Sequence, residues 1–262
     1  MIDIHNHSRF SFDSTANPKE EIDEAMKKGI NVYGFAEHVY LHAKSDFQAV
    51  TTQMQEYVSY VREIKSCYSK LKVLHGIEYN YDKGQEFAYK TLSSLVDFDY
   101  VINSVHWVSG ENLYKDFFAN RTIDEGYNLY FDEVLKSLDA EYDYQIVGHF
   151  GVLLKIGKQF TPKEYFERYY ARIKEVLLEI IKHGKTLEIN TSSGGVGLSV
   201  PNREVLELYY QLGGRKISFG ADAHSVQAVG INIYEAIKEA KEIGFQYATY
   251  YENLKEKQYV LC

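Results

Sequence analysis

The feature that most constrains the fold is a repeated alternation of short apolar stretches with longer amphipathic ones. The short stretches predict seven strands, at 2–5, 32–38, 72–79, 99–106, 144–149, 186–190 and 216–224. The clearest helices are predicted at 18–29, 162–184, 202–214 and 229–244. The first two of these helices begin with proline and end with glycine, which is typical of helix boundaries. Strands and helices that alternate in this way indicate parallel βαβ units.

The two faces of the predicted strands differ in polarity. In the last strand Ile217 and Phe219 share one face, whereas Ser218, Asp222 and His224 share the other. The first strand shows the same asymmetry, and in the sixth Glu188 and Asn190 lie on the face opposite Leu187 and Ile189. An open doubly wound sheet needs apolar residues on both faces. We therefore predict a closed (β/α) barrel of about seven strands, in which residues 1–262 form a single domain.

Histidines and carboxylates are concentrated at the C-terminal ends of the predicted strands. In a (β/α) barrel these ends form the rim on which active sites are built. Imidazole and carboxylate groups are suitable ligands for Zn, Mn or Fe. The sequence therefore predicts a metal centre at this rim, formed by His5, His7, His38, Glu78, His106, His149, Asp222 and His224.

Other polar residues near these positions are predicted to have different roles. Glu37 precedes His38 and points to the opposite face, so we expect it to be a supporting carboxylate rather than a direct ligand. Asp3 is predicted to lie deeper in the barrel and to hydrogen-bond a ligand histidine or another interior polar group. The remaining histidines, His42, His75 and His183, are expected to lie outside the centre.

Charge and cysteine content narrow the class of protein. The net charge is −8 and no run of lysine and arginine occurs, so we do not expect binding to polymeric nucleic acid. No apolar stretch is long enough for a membrane span. The two cysteines, Cys67 and Cys262, form no CxxC pair, which favours a reducing, cytoplasmic setting. A small phosphorylated substrate is compatible with these features if bound metal supplies positive charge.

The strand-end motifs resemble, in order, those of the polymerase-and-histidinol-phosphatase (PHP) superfamily. The motifs are DIHNHSRFSFD, GFAEH, GIEYN, NSVHW, IVGHFG, LEINTS and GADAHS. They span residues 3 to about 225 and are most similar to the histidinol-phosphatase branch. The resemblance implies a distorted (β/α)7 barrel that binds up to three divalent metals.

The resemblance also implies how the ligands are divided among the metals. One metal would take His5, His7, Glu78 and Asp222. A second would take Glu78, His106 and His149, with Glu78 bridging. The third would take Asp13, His38 and His224, with Asp13 at a position where several relatives have histidine.

Two departures from the branch fall near the expected substrate position. Histidinol-phosphatases often continue the LEIN motif with a glycine and then an arginine, whereas this chain has TSSGGVGLS without arginine. An aspartate is common after the fifth-strand histidine, where this chain has Gly151. Both changes bear on the choice of substrate and not on phosphoester hydrolysis itself.

The activity implied by these residues is hydrolysis of a small phosphomonoester, most simply L-histidinol phosphate. We hypothesise in-line attack by a hydroxide held between the metals, because three divalent cations carry more charge than their carboxylate ligands neutralise. The candidate catalytic residues are Glu78, His106, Asp222 and Asp13, and the candidate phosphate contacts are Arg9 and, second, Lys155.

Other functions remain open at this point. A phosphoesterase of the same family could act on a nucleotide, an oligonucleotide end or phosphotyrosine. An amidohydrolase-type hydrolase also uses an H-x-H motif on its first strand, but often has a bridging lysine on strand 4, where this chain has Val105 and His106. A non-catalytic metal-binding domain is a further alternative, although the full ligand set argues against it.

Overall fold

The computed structural model describes residues 1–115, 117–157, 159–192 and 194–261. Over these residues the chain forms a sheet of seven parallel strands, with the order β1-β2-β3-β4-β7-β8-β9. Its strands are β1 (Ile2–Asp3), β2 (Val32–Val39), β3 (Lys72–Asn80), β4 (Val101–Ser104), β7 (Ile146–Val147), β8 (Thr186–Asn190) and β9 (Ile217–Gly220). The intervening β5 (Trp107–Val108) and β6 (Glu111–Asn112) form a separate small hairpin.

The first and last strands of this sheet meet and nearly close it. The backbone N–H of Ile4 donates to Phe219 O at 2.9 Å, and that of His7 donates to Ala223 O at 2.8 Å. Between them, Asp222 N–H donates to His5 O at 2.6 Å. The sheet is therefore the distorted seven-stranded (β/α) barrel that the sequence predicted.

Helices cover the outside of the barrel between successive strands. In the described residues they are α1 (Pro18–Lys27), α2 (Phe47–Lys65), α3 (Glu86–Leu95), α4 (Ile123–Leu138), α5 (Leu153–Gly157), α6 (Pro162–Lys182), α7 (Arg203–Gln211) and α8 (Ile233–Ile243). The helix starts predicted from the sequence at α1 and α6 are formed by capping residues. Asn17 caps the start of α1 through its side chain, and Thr161 and Glu164 form a reciprocal capping box at α6. No described helix has the combination of length and hydropathy needed to cross a bilayer.

A large side chain, that of Tyr100, lies in the barrel interior beside residues small enough to admit it. Tyr100 is fully buried, and its hydroxyl donates to Ile4 O at 2.6 Å or to Phe35 O at 2.8 Å. A Cβ at Gly34 would lie 2.3 Å from the Tyr100 hydroxyl, and one at Gly76 would lie 2.2 Å from its ring. Gly34 and Gly76 are thus required by packing against Tyr100. The metal-ligating side chains lie above this layer, at the C-terminal rim of the barrel.

The elements differ from the sequence prediction in length and number. The predicted strands at 144–149 and 216–224 shrink to two and four residues, because the backbone leaves the sheet before it reaches the polar side chains. A C-terminal hairpin, β10 (Tyr247–Glu252) and β11 (Lys255–Val260), was not predicted. The mostly exposed β11 carries few apolar residues, so hydrophobic periodicity does not reveal it.

Candidate metal centre

The nine predicted ligands converge at the C-terminal rim of the barrel. Glu78 lies within β3 and His38 within β2, whereas the others follow the ends of β1, β4, β7 and β9. The structure brings all of them together, namely His5, His7, Asp13, His38, Glu78, His106, His149, Asp222 and His224. Their donor atoms fall into three groups with Glu78 shared by two.

The first group is centred on the H-x-H motif. His7 Nε2 lies 3.2 Å from Asp222 Oδ1 and 3.7 Å from Glu78 Oε2. His5 Nε2 lies 3.4 Å from the same Glu78 oxygen and 3.9 Å from the same Asp222 oxygen. Four ligands about 2.0–2.2 Å from a tetrahedral Zn²⁺ lie about 3.3–3.6 Å from one another. The donor atoms of His5, His7 and Asp222 all lie within 4.8 Å of one another, which fits one metal site, and Glu78 Oε2 is close enough to both histidines to be a fourth ligand.

The second group uses the other oxygen of Glu78. Glu78 Oε1 lies 3.0 Å from His149 Nε2 and 3.4 Å from His106 Nε2. The two imidazole nitrogens are 3.0 Å apart. All three residues are buried, and their donor atoms fit around one cation.

The third group is more open to solvent. Asp13 Oδ2 lies 3.4 Å from His38 Nε2 and 3.3 Å from His224 Nε2, and these two nitrogens are 3.4 Å apart. His7 is also close enough to complete a triad with His38 and His224 in place of Asp13. The arrangement provides a third candidate cation position whose carboxylate is only partly buried.

Unpartnered buried atoms support a cation at the first group. Among the described residues, His5 Nε2, His7 Nε2 and Glu78 Oε2 are buried and make no hydrogen bond of acceptable geometry, although Glu78 Oε2 lies 2.7 Å from His38 Nδ1. Burying three such atoms costs free energy unless another group satisfies them. A divalent metal accepts all three lone pairs, so the residues present fit the group that their chemistry implies.

The electrostatics around His38 and Glu78 favour positive charge. Burial opposes protonation of His38, but the carboxylates of Glu78 and Asp13 raise the pKa of this imidazole to about 9. Burial likewise opposes ionisation of Glu78, but His5 and His106 hold its pKa well below the usual value. The same negative charges of Glu78 and Asp13 that favour a proton on His38 would also favour a metal cation at this position.

Hydrogen bonds behind the ligands fix the orientation of their rings. Glu188 contacts His5 Nδ1 with one oxygen and accepts the backbone N–H of His149 with the other at 2.6 Å. Tyr40 Oη lies 2.9 Å from His106 Nδ1. These contacts hold the Nδ1 side of His5 and His106, so that the Nε2 atom of each ring faces Glu78 and the other predicted ligands.

Ser11 performs the same task for His7. Its hydroxyl donates to Glu37 Oε2 at 2.6 Å and lies 3.2 Å from His7 Nδ1. It also accepts the backbone N–H of His38 at 2.9 Å. Glu37 is therefore a supporting carboxylate that acts through a serine, which is in line with its expected position off the inner face.

Asp3 is buried and is hydrogen-bonded to interior groups other than a ligand ring. Its carboxylate accepts from Asn6 Nδ2 at 3.0 Å, from Ala221 N–H at 2.9 Å and from Gly230 N–H at 3.1 Å. Asp3 therefore hydrogen-bonds interior polar groups, the second of the two alternatives expected for it, and not a ligand histidine ring. The task of orienting a ligand histidine belongs to Glu188, which parity had placed on the inner face without identifying a partner.

The two candidate phosphate contacts have different positions. Lys155 Nζ lies 3.4 Å from Asp222 Oδ2, at the wall of a cavity of about 410 Å³ that opens over the centre. Arg9 does not reach this cavity, because its exposed guanidinium packs over the Tyr60 ring at 4.6 Å. Of the two candidates, Lys155 is therefore the basic side chain nearer the metal ligands.

The histidines expected outside the centre lie elsewhere. His75 Nδ1 is 2.8 Å from Asp99 Oδ2, away from the rim, and His183 forms the C-terminal cap of α6. His42 lies in the loop after β2 and lines a neighbouring cavity. None of these three side chains belongs to the donor groups found in the described residues.

Two of the predicted ligands have strained backbones. His149 has φ 24° and Asp222 has φ 51°, in the left-handed region that non-glycine residues rarely adopt. Such strain persists where surrounding contacts hold it in place, and it is concentrated at functional sites. Here it turns both side chains inward after their short strands have ended.

Sequence reasoning missed Tyr40, Tyr114 and Ser192, which line the cavity over the centre. Tyr40 follows His38 by two residues, so the alternation of side chains that places His38 on the inner face also predicts Tyr40 there. Tyr114 comes from the loop after the β5–β6 hairpin, for which the sequence has no strand signal. Ser193, in the segment that lacks the family arginine, lies outside the described residues.

Comparison with known proteins identifies similar chains. The sequence matches the PHP domain family over residues 3–192. A probable histidinol-phosphatase of Clostridium acetobutylicum is 28% identical over 245 residues, which cover 92% of this chain and 93% of that protein. A probable histidinol-phosphatase of Thermotoga maritima is 27% identical over 253 residues, covering 94% of each.

A solved structure has the same fold. The crystal structure of histidinol phosphate phosphatase from Lactococcus lactis subsp. lactis, complexed with zinc, L-histidinol and phosphate, matches with a TM-score of 0.84. It is 24% identical in sequence, and the match covers 98% of both chains. The likeness extends over the barrel and the C-terminal hairpin alike.

Proposed function

This chain belongs to the PHP domain family, and on that premise we propose that it is a metal-dependent phosphomonoesterase that hydrolyses L-histidinol phosphate to L-histidinol and phosphate. The observation that carries the proposal is the convergence of nine histidine and carboxylate side chains into three donor groups, two of which share Glu78. Two similar proteins are named probable histidinol-phosphatases over nearly the whole chain.

The proposal assigns up to three divalent ions, Zn, Mn or Fe, to these groups. His5, His7, Glu78 and Asp222 hold the first, Glu78, His106 and His149 the second, and Asp13, His38 and His224 the third. Bound there, divalent cations supply an activated water and positive charge for the phosphoryl oxygens. Zinc is the metal bound in the crystal structure of the Lactococcus lactis phosphatase, which supports the assignment.

The chain's own residues position the substrate and hold the donor atoms. Lys155 reaches the wall of the cavity over the centre and adds a positive charge beside Asp222, where one phosphate oxygen binds. Glu188 and Ser11 keep the Nε2 atoms of His5 and His7 directed at the metals.

The proposal extends to the setting of the enzyme. We take residues 1–262 as one catalytic domain, because the C-terminal hairpin is bonded to the barrel through Asp99, which accepts Asn253 N–H at 3.0 Å. A reducing, cytoplasmic location is supported by Cys67, which is exposed and unpaired. Cys262 lies outside the described residues.

A phosphate-release panel tests the substrate. L-histidinol phosphate, a nucleoside monophosphate and a phosphotyrosine peptide are compared for kcat/KM with protein purified without chelator. We expect L-histidinol phosphate to have the highest value. If it is not turned over while another ester is, the assigned substrate is wrong and the phosphomonoesterase activity stands.

A pair of histidine variants tests the role of the centre in the same assay. His106→Ala removes a donor of the second group, whereas His183→Ala removes a helix-capping histidine outside the centre. We expect phosphate release to fall by at least about a hundredfold in the first variant and to be unchanged in the second. Unchanged turnover in His106→Ala would contradict the assignment.

A further inference from the structure

A second cavity adjoins the one over the metal centre. It has a volume of about 830 Å³, roughly twice the 410 Å³ of its neighbour. Phe12 and Tyr40 line both cavities, so the two spaces meet at these rings. The leaving group of a phosphomonoester bound at the metal centre would enter the second cavity if it extended past these rings.

Phe12 is a large aromatic side chain that remains exposed to solvent where the two cavities meet. It is 72% exposed, in the loop that carries Asp13. Its ring lies 5.4 Å from the His38 ring and 5.3 Å from the Tyr40 ring, measured between centroids. Packing against these two rings fixes one side of Phe12 and leaves the rest of it open to a ligand.

The walls of the second cavity are suited to a flat, largely uncharged group. Trp107, 37% exposed on the β5–β6 hairpin, adds another aromatic surface to those of Phe12 and Tyr40. The charged residues that line it are balanced, because Asp82 and Glu133 offset Lys83 and Lys136, and Glu133 pairs with Lys136 at 3.0 Å. The cavity therefore lacks the excess positive charge that a second phosphate would require.

We propose that the second cavity is the subsite for a planar ring in the leaving group of the substrate, and that Phe12 is the residue that contacts this ring. The inference rests on the proposed phosphomonoesterase function and narrows its substrate class. The ring is an imidazole if the substrate is L-histidinol phosphate, and a base or an aryl group if one of the other esters is used. Phe12 selects for the ring and takes no part in cleavage of the phosphoester bond.

The test compares two substrates that differ only in the ring. L-alaninol phosphate is L-histidinol phosphate without its imidazole, so the ratio of their kcat/KM values measures recognition of the ring. Phe12→Ala removes the contact and Phe12→Tyr retains it. Phe87→Ala is the matched control, because Phe87 is 83% exposed on α3 and lines neither cavity.

We expect Phe12→Ala to lower the ratio about three- to tenfold, through loss of turnover of the ring-bearing ester alone. Phe12→Tyr and Phe87→Ala should leave the ratio unchanged. Equal losses for both esters, or no loss, would overturn the subsite. If the wild type turns over neither ester, the proposed function fails, and calorimetric binding of L-histidinol against L-alaninol in wild type and Phe12→Ala decides the subsite separately.

Discussion

Glu188 on β8 contacts the Nδ1 atom of His5, which follows the end of β1, and β9 lies between these two strands. Its second oxygen accepts the backbone N–H of His149, so one buried carboxylate holds parts of two donor groups. Burial disfavours the charged form of His5, but Glu188 and Glu78 raise the pKa of its imidazole well above the usual value. Glu188 therefore fixes which nitrogen of His5 is available as a ligand.

Glu188→Gln tests this relationship. The amide keeps the shape of the side chain but removes the negative charge. In the wild type that charge orients the His5 ring and increases the basicity of the imidazole. We expect metal affinity to fall by about 10- to 100-fold, measured by competition with a chromophoric chelator. Glu252→Gln, at a half-exposed pair with Lys72, is the control and should retain wild-type affinity. Equal affinities in the two variants would count against a role for Glu188.

Lys155 and Arg9 are distinguished by their positions. We expect Lys155→Met to lower kcat/KM for the phosphomonoester about 10- to 100-fold, because a charge-assisted contact with the phosphate is lost. Arg9→Met should leave kcat/KM within about twofold, because that guanidinium packs on Tyr60. Steady-state phosphate release by both variants checks the assignment, and a larger loss in Arg9→Met would reverse it.

Glu21 on α1 is a buried carboxyl that weakens the fold at neutral pH. Burial, together with the charge of Glu37, raises the pKa of Glu21 from 4.5 to about 9. The stability it contributes is complete below pH 4.5 and is lost as the pH rises toward 9. At pH 7 the folded state must take up a proton, which costs about 1.4 kcal/mol for each pH unit above the ordinary pKa.

Replacing Glu21 with glutamine removes this cost. We expect Glu21→Gln to raise the free energy of unfolding by about 1–3 kcal/mol at pH 8 and by much less at pH 5, measured by urea unfolding. Glu20→Gln, on the exposed side of the same helix, should change neither value. A gain that does not depend on pH would show that packing, not ionisation, limits stability at this position.

The sequence predicted the barrel and most of the ligand positions because both depend on alternation and position along single strands, whereas Asp13 came only from the family resemblance. His38 and Glu78 lie on β2 and β3, where parity holds, and they are paired in register across the sheet. His149 and Asp222 lie beyond the ends of their strands at positive φ, so parity identified the residues but not how they are aimed. Their direction depends on loops that no periodic pattern describes.

The contacts between distant segments were beyond prediction from the sequence. Glu188 was placed on the inner face, but its partner His5 is 183 residues away in the chain. Arg9 follows His7 by two residues, yet it packs against Tyr60 on α2, a helix for which the sequence prediction gave no bounds. The second cavity likewise depends on where the β5–β6 hairpin lies relative to the loop after β1.

The central claim is that divalent metals held by the nine side chains are required for phosphomonoester hydrolysis. Titration of Zn²⁺ or Mn²⁺ into chelator-treated protein, with phosphate release from L-histidinol phosphate measured at each addition, tests it most directly. We predict no release without metal, and recovery that requires more than one equivalent and reaches a plateau by about three. Full activity in the metal-free protein would contradict the claim, as would failure of every added metal to bind.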